Sequence, residues 1–188
     1  MKKLFGTDGI RSKAGEFPLD ASTVAVIGRS LARHLAENVG KNPQIVVGRD
    51  TRESGPWIEA ALIAGAHEAG AQVKSAGVIT TPGVAFLART LPADAGVVIS
   101  ASHNPYYDNG IKVFQSSGRK LDDAVERQIE ADIANSEETA RFEDDHGRQT
   151  SRPAFFCAYL QRHDQVGFLR LQLSEGQQRA RLSPDAHG

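Results

Sequence analysis

The chain has 188 residues, a formal net charge of −1 and 40% hydrophobic residues, enough for one ordinary domain with a core, or one domain plus a tail. The near-neutral balance gives no support for a nucleic-acid or anionic-membrane partner, and a single cysteine, Cys157, excludes an internal disulfide or a cysteine-based zinc site. Lys2 and Lys3 lead into no apolar signal core and no transmembrane run follows, so a reducing, cytoplasmic setting is expected.

Lys3 to Arg11 reads as a short strand running into a glycine-rich loop, where Gly6 and Gly9 permit close backbone approach and Asp8 holds a turn. Arg11, at its end, is either a solvated cation or a planar fork suited to phosphate. Asp20 caps the first clear helix, Val24, Ile27, Leu31 and Leu35 form its apolar stripe, and Gly40 stops it. Gln44 to Gly48 is a buried strand. Gly48-Arg49-Asp50-Thr51-Arg52 follows, then Ser54-Gly55-Pro56 opens a second helix. Its inner face carries Ile58, Ala61, Leu62 and Gly65, and the small residues 64–66 would let it lie close to a sheet. Gln72 to Val78 is a weakly patterned strand. Thr81 caps a third helix with Pro82 in its first turn and Val84, Leu87 and Leu91 as its stripe, stopped by Pro92.

Residues 96–114 carry the chemistry. Val97-Val98-Ile99 reads as a buried strand. Ser100-Ala101-Ser102-His103-Asn104-Pro105 breaks it, and Pro105 stiffens the break. Asp108-Asn109-Gly110 is a turn signal, and Ile111-Lys112-Val113-Phe114 alternates like a returning strand. A hydroxyl, an imidazole and an amide thus sit on a stiff loop, with a lysine following. That layout suits a nucleophile with proton-handling neighbours, although a hairpin with a polar tip reads the same way. Asp122, Asp123 and Glu126 favour the start of a last helix, with Val125, Ile129 and Ile133 on one face. Residues 136–146 turn acidic and read as a surface segment or linker.

Strands alternate with helices, so a layered α/β domain is expected, with a mixed, mostly parallel sheet whose final pair adds antiparallel character. No Gly-x-Gly-x-x-Gly fingerprint follows the first strand and no Gly-Lys-Ser/Thr phosphate loop occurs, which disfavours a nicotinamide enzyme or a P-loop nucleotidase.

Ser-Ala-Ser-His-Asn-Pro followed by Asp-Asn-Gly-Ile-Lys resembles the phosphoserine loop of the α-D-phosphohexomutase family. The Tyr106-Tyr107 spacing and Phe5-Gly6-Thr7-Asp8-Gly9-Ile10-Arg11 are most similar to its phosphoglucosamine mutase branch. The resemblance implies an α/β/α first domain. It implies that Ser102 carries the phosphate and, through it, ligates Mg²⁺. His103 and Lys112 would handle protons, Arg11 would steady phosphate charge, and Asn104 would shape the phosphate-binding loop. Ser100 is the weaker nucleophile candidate, since the family motif puts the phosphoserine two residues later. Gly48 to Arg52 also resembles a family motif, and Arg49, Asp50 and Arg52 read there as a structural ion-pair network. Ser12 departs from the family, which has glycine at that point.

The resemblance covers Leu4 to about Arg148 and corresponds to the first of four family domains. No Asp-x-Asp-x-Asp metal loop, Gly-Glu-x-Ser-Gly sugar loop or Arg-x-Ser-Gly-Thr phosphate loop occurs. The expected organisation is therefore residues 1–148 as a phosphohexomutase first domain and residues 149–188 as a non-family tail, frameshifted or disordered, or else a diverged cap packed on the domain. The implied activity is interconversion of glucosamine 6-phosphate and glucosamine 1-phosphate through a sugar bisphosphate. The alternatives are phosphomannomutase/phosphoglucomutase activity, or an inactive phosphate-accepting or binding fragment. The partner would be a hexosamine or hexose phosphate, and the missing mutase domains would complete the Mg²⁺ and sugar sites.

Overall fold

The computed structural model describes residues 3–40 and 42–145, with side chains described through Ser136. Five strands, β1 (Ile10–Lys13), β2 (Gln44–Arg49), β3 (Gln72–Val78), β4 (Ala95–Ile99) and β5 (Asp108–Gln115), form one sheet in the order β1-β5-β4-β2-β3. β2 runs parallel to β3 and β4, while β5 is antiparallel to β4 and β1. The sheet is mixed, as expected, with the parallel part confined to β3-β2-β4.

Successive residues of a strand point to opposite faces, and two separate cores follow from that. Ile45, Val47, Val97, Ile99, Ile111 and Val113 face helices α1 (Ala21–Val39), α2 (Gly55–Glu68) and α4 (Asp123–Asp145). Val46, Val98 and Phe114 face α3 (Thr81–Thr90), which contributes Val84 and Ala88. The result is an α/β/α sandwich. β4 is buried at every residue because both its faces are covered. β3 lies at the sheet edge and is only partly covered, which explains its weak pattern. Among the described residues no helix is long and apolar enough to cross a membrane.

The helix ends follow local chemistry. Asp20 accepts from the Thr23 amide at 3.0 Å, and Gly40 closes α1 at φ 61°. Burial works against the Asp20 charge. Bonds from Ser22, from Thr23 and from backbone amides outweigh it and hold the carboxyl below the usual range. Gly65 and the residues around it bring α2 against α1 rather than the sheet. A Cβ on Gly65 would lie 1.8 Å from Ala25 O, and one on Gly28 would lie 2.1 Å from Leu62 O.

Several expectations are corrected. The first strand follows the glycine-rich loop instead of leading into it, because Ile10 to Lys13 find a partner in β5 and residues 3–5 do not. Thr80, not Thr81, caps α3, its hydroxyl accepting from the Gly83 amide at 3.3 Å. Leu91 falls at the cap, and Ala88 takes its place on the buried stripe. Residues 136–145 continue α4 as helix instead of forming a linker. The expectations for residue 146 onward lie outside the described residues.

Candidate active site

The loop between β4 and β5, residues 100–107, is the centre of the site. It is a true hairpin connection, since Ile99 pairs with Ile111 and the Ser100 amide donates to Gly110 O at 2.9 Å. Asp108-Asn109-Gly110 is not its turn. These residues lie inside β5, paired with Lys13, Ser12 and Arg11 of β1. Two further restraints override the local turn signal. Buried Asn109 donates from Nδ2 to Ser54 Oγ at 2.8 Å and accepts the Gly110 amide at 2.8 Å. A Cβ on Gly110 would lie 2.7 Å from Ser100 O and 2.8 Å from Ile10 O, so β1 and β4 close over that position.

Ser102 is exposed and has φ 56°, the one non-glycine residue with positive φ among those described. The left-handed conformation costs about 1–2 kcal/mol for an L-residue, so other contacts must hold it. Its amide donates to Ser100 Oγ at 3.1 Å. The Asn104 amide donates to Ala101 O at 3.1 Å and the Asp108 amide to Pro105 O at 3.0 Å. Asn104 Nδ2 donates to Asp108 Oδ2 at 3.0 Å, so Asn104 shapes the loop. His103 Nδ1 lies 3.5 Å from Ser102 Oγ, at the limit of a hydrogen bond.

Arg52 adds a restraint that sequence reading missed. Its Nη1 donates to Pro105 O at 2.6 Å and Asp108 O at 3.1 Å. Its Nη2 donates to Ser102 O and Asn104 O, each at 2.9 Å. Its Nε donates to Asp50 Oδ2 at 3.1 Å. Hydrogen bonds from a charged donor contribute about 1.5–3 kcal/mol each, so four of them outweigh the backbone strain at Ser102. Arg52 lies 50 residues before Ser102, and no local spacing points from one to the other. Arg49 pairs outside the expected network with Asp50 and Arg52: its Nε lies 2.8 Å from Glu59 Oε2, while Ser75 Oγ donates to the other Glu59 oxygen at 2.6 Å.

Arg11 and Lys112 form a second cluster on the neighbouring strands. By alternation they occupy the face opposite Ile10 and Ile111. Asp8 joins them, with Oδ2 3.5 Å from Arg11 Nη2 and Oδ1 3.3 Å from Lys112 Nζ. The turn that carries Asp8 crosses β5 closely. A Cβ on Gly9 would lie 2.2 Å from Ile111 O. Arg11 Nε is buried with no hydrogen-bond partner. Among the described residues no hydrogen bond or ion pair joins Ser102 to Arg11 or Lys112, so the loop and the cation pair are adjacent but separate. Ser12, the departure from the family pattern, adopts an ordinary strand position in β1.

No three His, Cys, Asp or Glu side chains among the described residues are placed to hold a metal ion. Asp8, Asp50 and Asp108 are each engaged, with Arg11 and Lys112, with Arg52, and with Asn104. These residues do not make a Mg²⁺ site by themselves. A groove of about 210 Å³ between α1 and α4, lined by Arg29, Ser30, Arg33 and Asp132, shares no residue with the loop.

Comparison with known proteins agrees with this geometry. The family model for phosphoglucomutase/phosphomannomutase, alpha/beta/alpha domain I, matches residues 2–140. The phosphoglucosamine mutase of Koribacter versatilis is 56% identical over 133 residues, which is 71% of this chain and 28% of that protein. That of Solibacter usitatus is 57% identical over 132 residues, 70% of this chain and 29% of that protein. A crystal structure of a phosphoglucomutase/phosphomannomutase family protein from Burkholderia thailandensis superposes with a TM-score of 0.63 at 29% identity, covering 72% of this chain and 30% of the other. The chain thus spans under a third of the length of these relatives. With the matched residues and the α/β/α sandwich in agreement, the chain belongs to the phosphoglucomutase/phosphomannomutase family, through its domain I.

Proposed function

We propose that Ser102 is the phosphoryl carrier of a phosphoglucosamine mutase reaction, interconverting glucosamine 6-phosphate and glucosamine 1-phosphate. The observation that carries this reading is an exposed serine hydroxyl held in a left-handed conformation on a braced loop. Strained backbone of that kind clusters at functional sites. In the accepting direction, Oγ attacks the phosphorus of a sugar bisphosphate. The Oγ–P bond forms, the sugar O–P bond breaks, the hydroxyl proton passes to a base, and the sugar oxygen leaves with a proton restored to it. His103, whose Nδ1 lies beside Oγ, is the candidate base for the serine proton. Lys112 is the candidate for the sugar oxygen, and Arg11 for holding phosphoryl charge.

The reverse transfer to the other sugar hydroxyl completes the isomerisation. A phosphoserine oxygen would offer Mg²⁺ one hard ligand, and the bound ion would neutralise phosphoryl charge. Groups other than the described residues would supply its remaining ligands and the sugar contacts. The end of the family match at residue 140 supports taking residues 1–148 as the phosphoryl-accepting unit and 149–188 as a segment outside it. A cytoplasmic setting belongs to the same proposal, since a charged sugar phosphate does not cross an apolar bilayer unaided. The named relatives favour glucosamine phosphates over the phosphomannomutase/phosphoglucomutase alternative.

The full chain incubated with glucosamine 1,6-bisphosphate should gain the mass of one phosphoryl group, and Ser102→Ala should gain none. Label that persists in Ser102→Ala, or a wild-type chain that takes up none, would refute the assignment. Label without turnover in a coupled assay identifies a phosphate-accepting domain that does not isomerise sugars unaided.

A further inference from the structure

We propose that Arg52 is the positioning residue of the phosphoryl-accepting loop, a role that rests on Ser102 being the carrier. A guanidinium has five N–H donors in one plane. All five of Arg52 are used, one on Asp50 and four on the carbonyls of Ser102, Asn104, Pro105 and Asp108. No donor is left for a substrate phosphate, and the side chain is only 11% exposed. Arg52 therefore acts on the loop backbone and not on the reacting atoms.

The base of this clamp is rigid. The Asp50 amide donates to Ile99 O at the end of β4, and the Arg52 amide donates to Asp50 Oδ1 at 3.0 Å. Asp50 follows directly on β2. The clamp thus ties the ends of β2 and β4 to both limbs of the loop, and Ser102 carries the first of the four pinned carbonyls after the end of β4. With the Ser102 amide held on Ser100 Oγ and its carbonyl held by Arg52, the backbone is fixed on both sides of Cα, and with it the direction of the Cα–Cβ bond that carries the hydroxyl. A lysine cannot substitute, because a tetrahedral ammonium with three donors cannot span four carbonyls and a carboxylate.

Misplacing a reacting atom by about 1 Å costs roughly 100-fold in rate. Arg52→Met and Arg52→Lys in the full chain should each lower the maximal rate of Ser102 phosphorylation by about that factor. The half-saturating bisphosphate concentration should stay at the wild-type value, since no substrate contact is removed. A merely structural role would not produce that split. Amide hydrogen exchange supplies a second reading. The Asn104 and Asp108 amides should be protected in the wild type and exchange faster in both variants, with β2 and β4 amides unchanged. Wild-type amides at 104 and 108 that exchange at the free-peptide rate would overturn the clamp without recourse to any variant. Variants that accept phosphate at the wild-type rate would overturn it while leaving Ser102 as the carrier. A wild-type chain that accepts no phosphate would remove the carrier assignment and the positioning role together.

Discussion

Gly9 and Gly15 have nearly the same backbone conformation, φ 84° and φ 90°, in very different surroundings. Nothing lies within 4 Å of a Cβ built on Gly15, whereas one on Gly9 would sit 2.2 Å from Ile111 O and 2.9 Å from Lys112 Cα. The pair separates conformational strain from collision. Gly15→Ala incurs the left-handed penalty, about 1–2 kcal/mol, offset in part by about 0.4–1 kcal/mol from a stiffer unfolded chain, for a net loss near 1 kcal/mol. Gly9→Ala incurs the same and must also push two backbone segments apart by about 1 Å, an overpacking cost of roughly 1–3 kcal/mol. Gly9→Ala should therefore unfold with a loss of about 2–4 kcal/mol, near 4 °C in Tm for each kcal/mol at this size. Urea denaturation followed by the fluorescence of Trp57, the single tryptophan, measures both variants. Equal losses for the two variants would show that the turn does not press on β5, and the account of how Asp8 reaches Lys112 would fail with it.

Asp20→Asn keeps a capping oxygen but removes the charge. Because the Asp20 carboxyl is held below its usual range, its charge stabilises the fold above the unfolded value of 3.8 and ceases to do so as pH falls through the lower folded value. The stability gap between wild type and Asp20→Asn should be full at neutral pH and close in acid, and a gap independent of pH would contradict the hydrogen-bond account. Glu130 Oε1 accepts the Leu4 and Phe5 amides, each at 2.7 Å. Glu130→Ala leaves both without that acceptor and should cost about 1–3 kcal/mol, with faster amide exchange at residues 4 and 5. Unchanged exchange there would show that α4 does not anchor the N-terminal segment.

The parts of the fold written in short range were legible. The Asp20 cap, the Gly40 stop and the Val24-Ile27-Leu31 stripe depend on residues within a few turns of one another. The serine loop was legible for a similar reason, since its composition is contiguous. The sheet order was not, because nothing in Ile10 to Lys13 announces a partner near residue 110. The Asp108-Asn109-Gly110 turn signal misled for the same cause: pairing with β1 and the buried Asn109–Ser54 bond outweigh local preference. The small residues of α2 were seen, but their partner helix was not, since close approach looks alike against a helix or a sheet. Arg52 reads in the sequence as a member of an ion-pair network with Arg49 and Asp50, and of that network its bond to Asp50 forms. Its four carbonyl partners are distant in the chain and are backbone atoms, which carry no side-chain signature.

The pairing of Ile10 with Ile111 has a consequence for synthesis. The earliest strand to leave the ribosome is the last in line at the sheet's rim, and its mate is 101 positions downstream. At translation speeds of about 5–20 residues per second, that is a wait of roughly 5–20 s. Throughout it, Phe5 and Ile10, both sealed in the finished protein, have nowhere to go. Newborn chains halted before β5 should therefore be the ones that chaperones hold and that clump when chaperones are scarce.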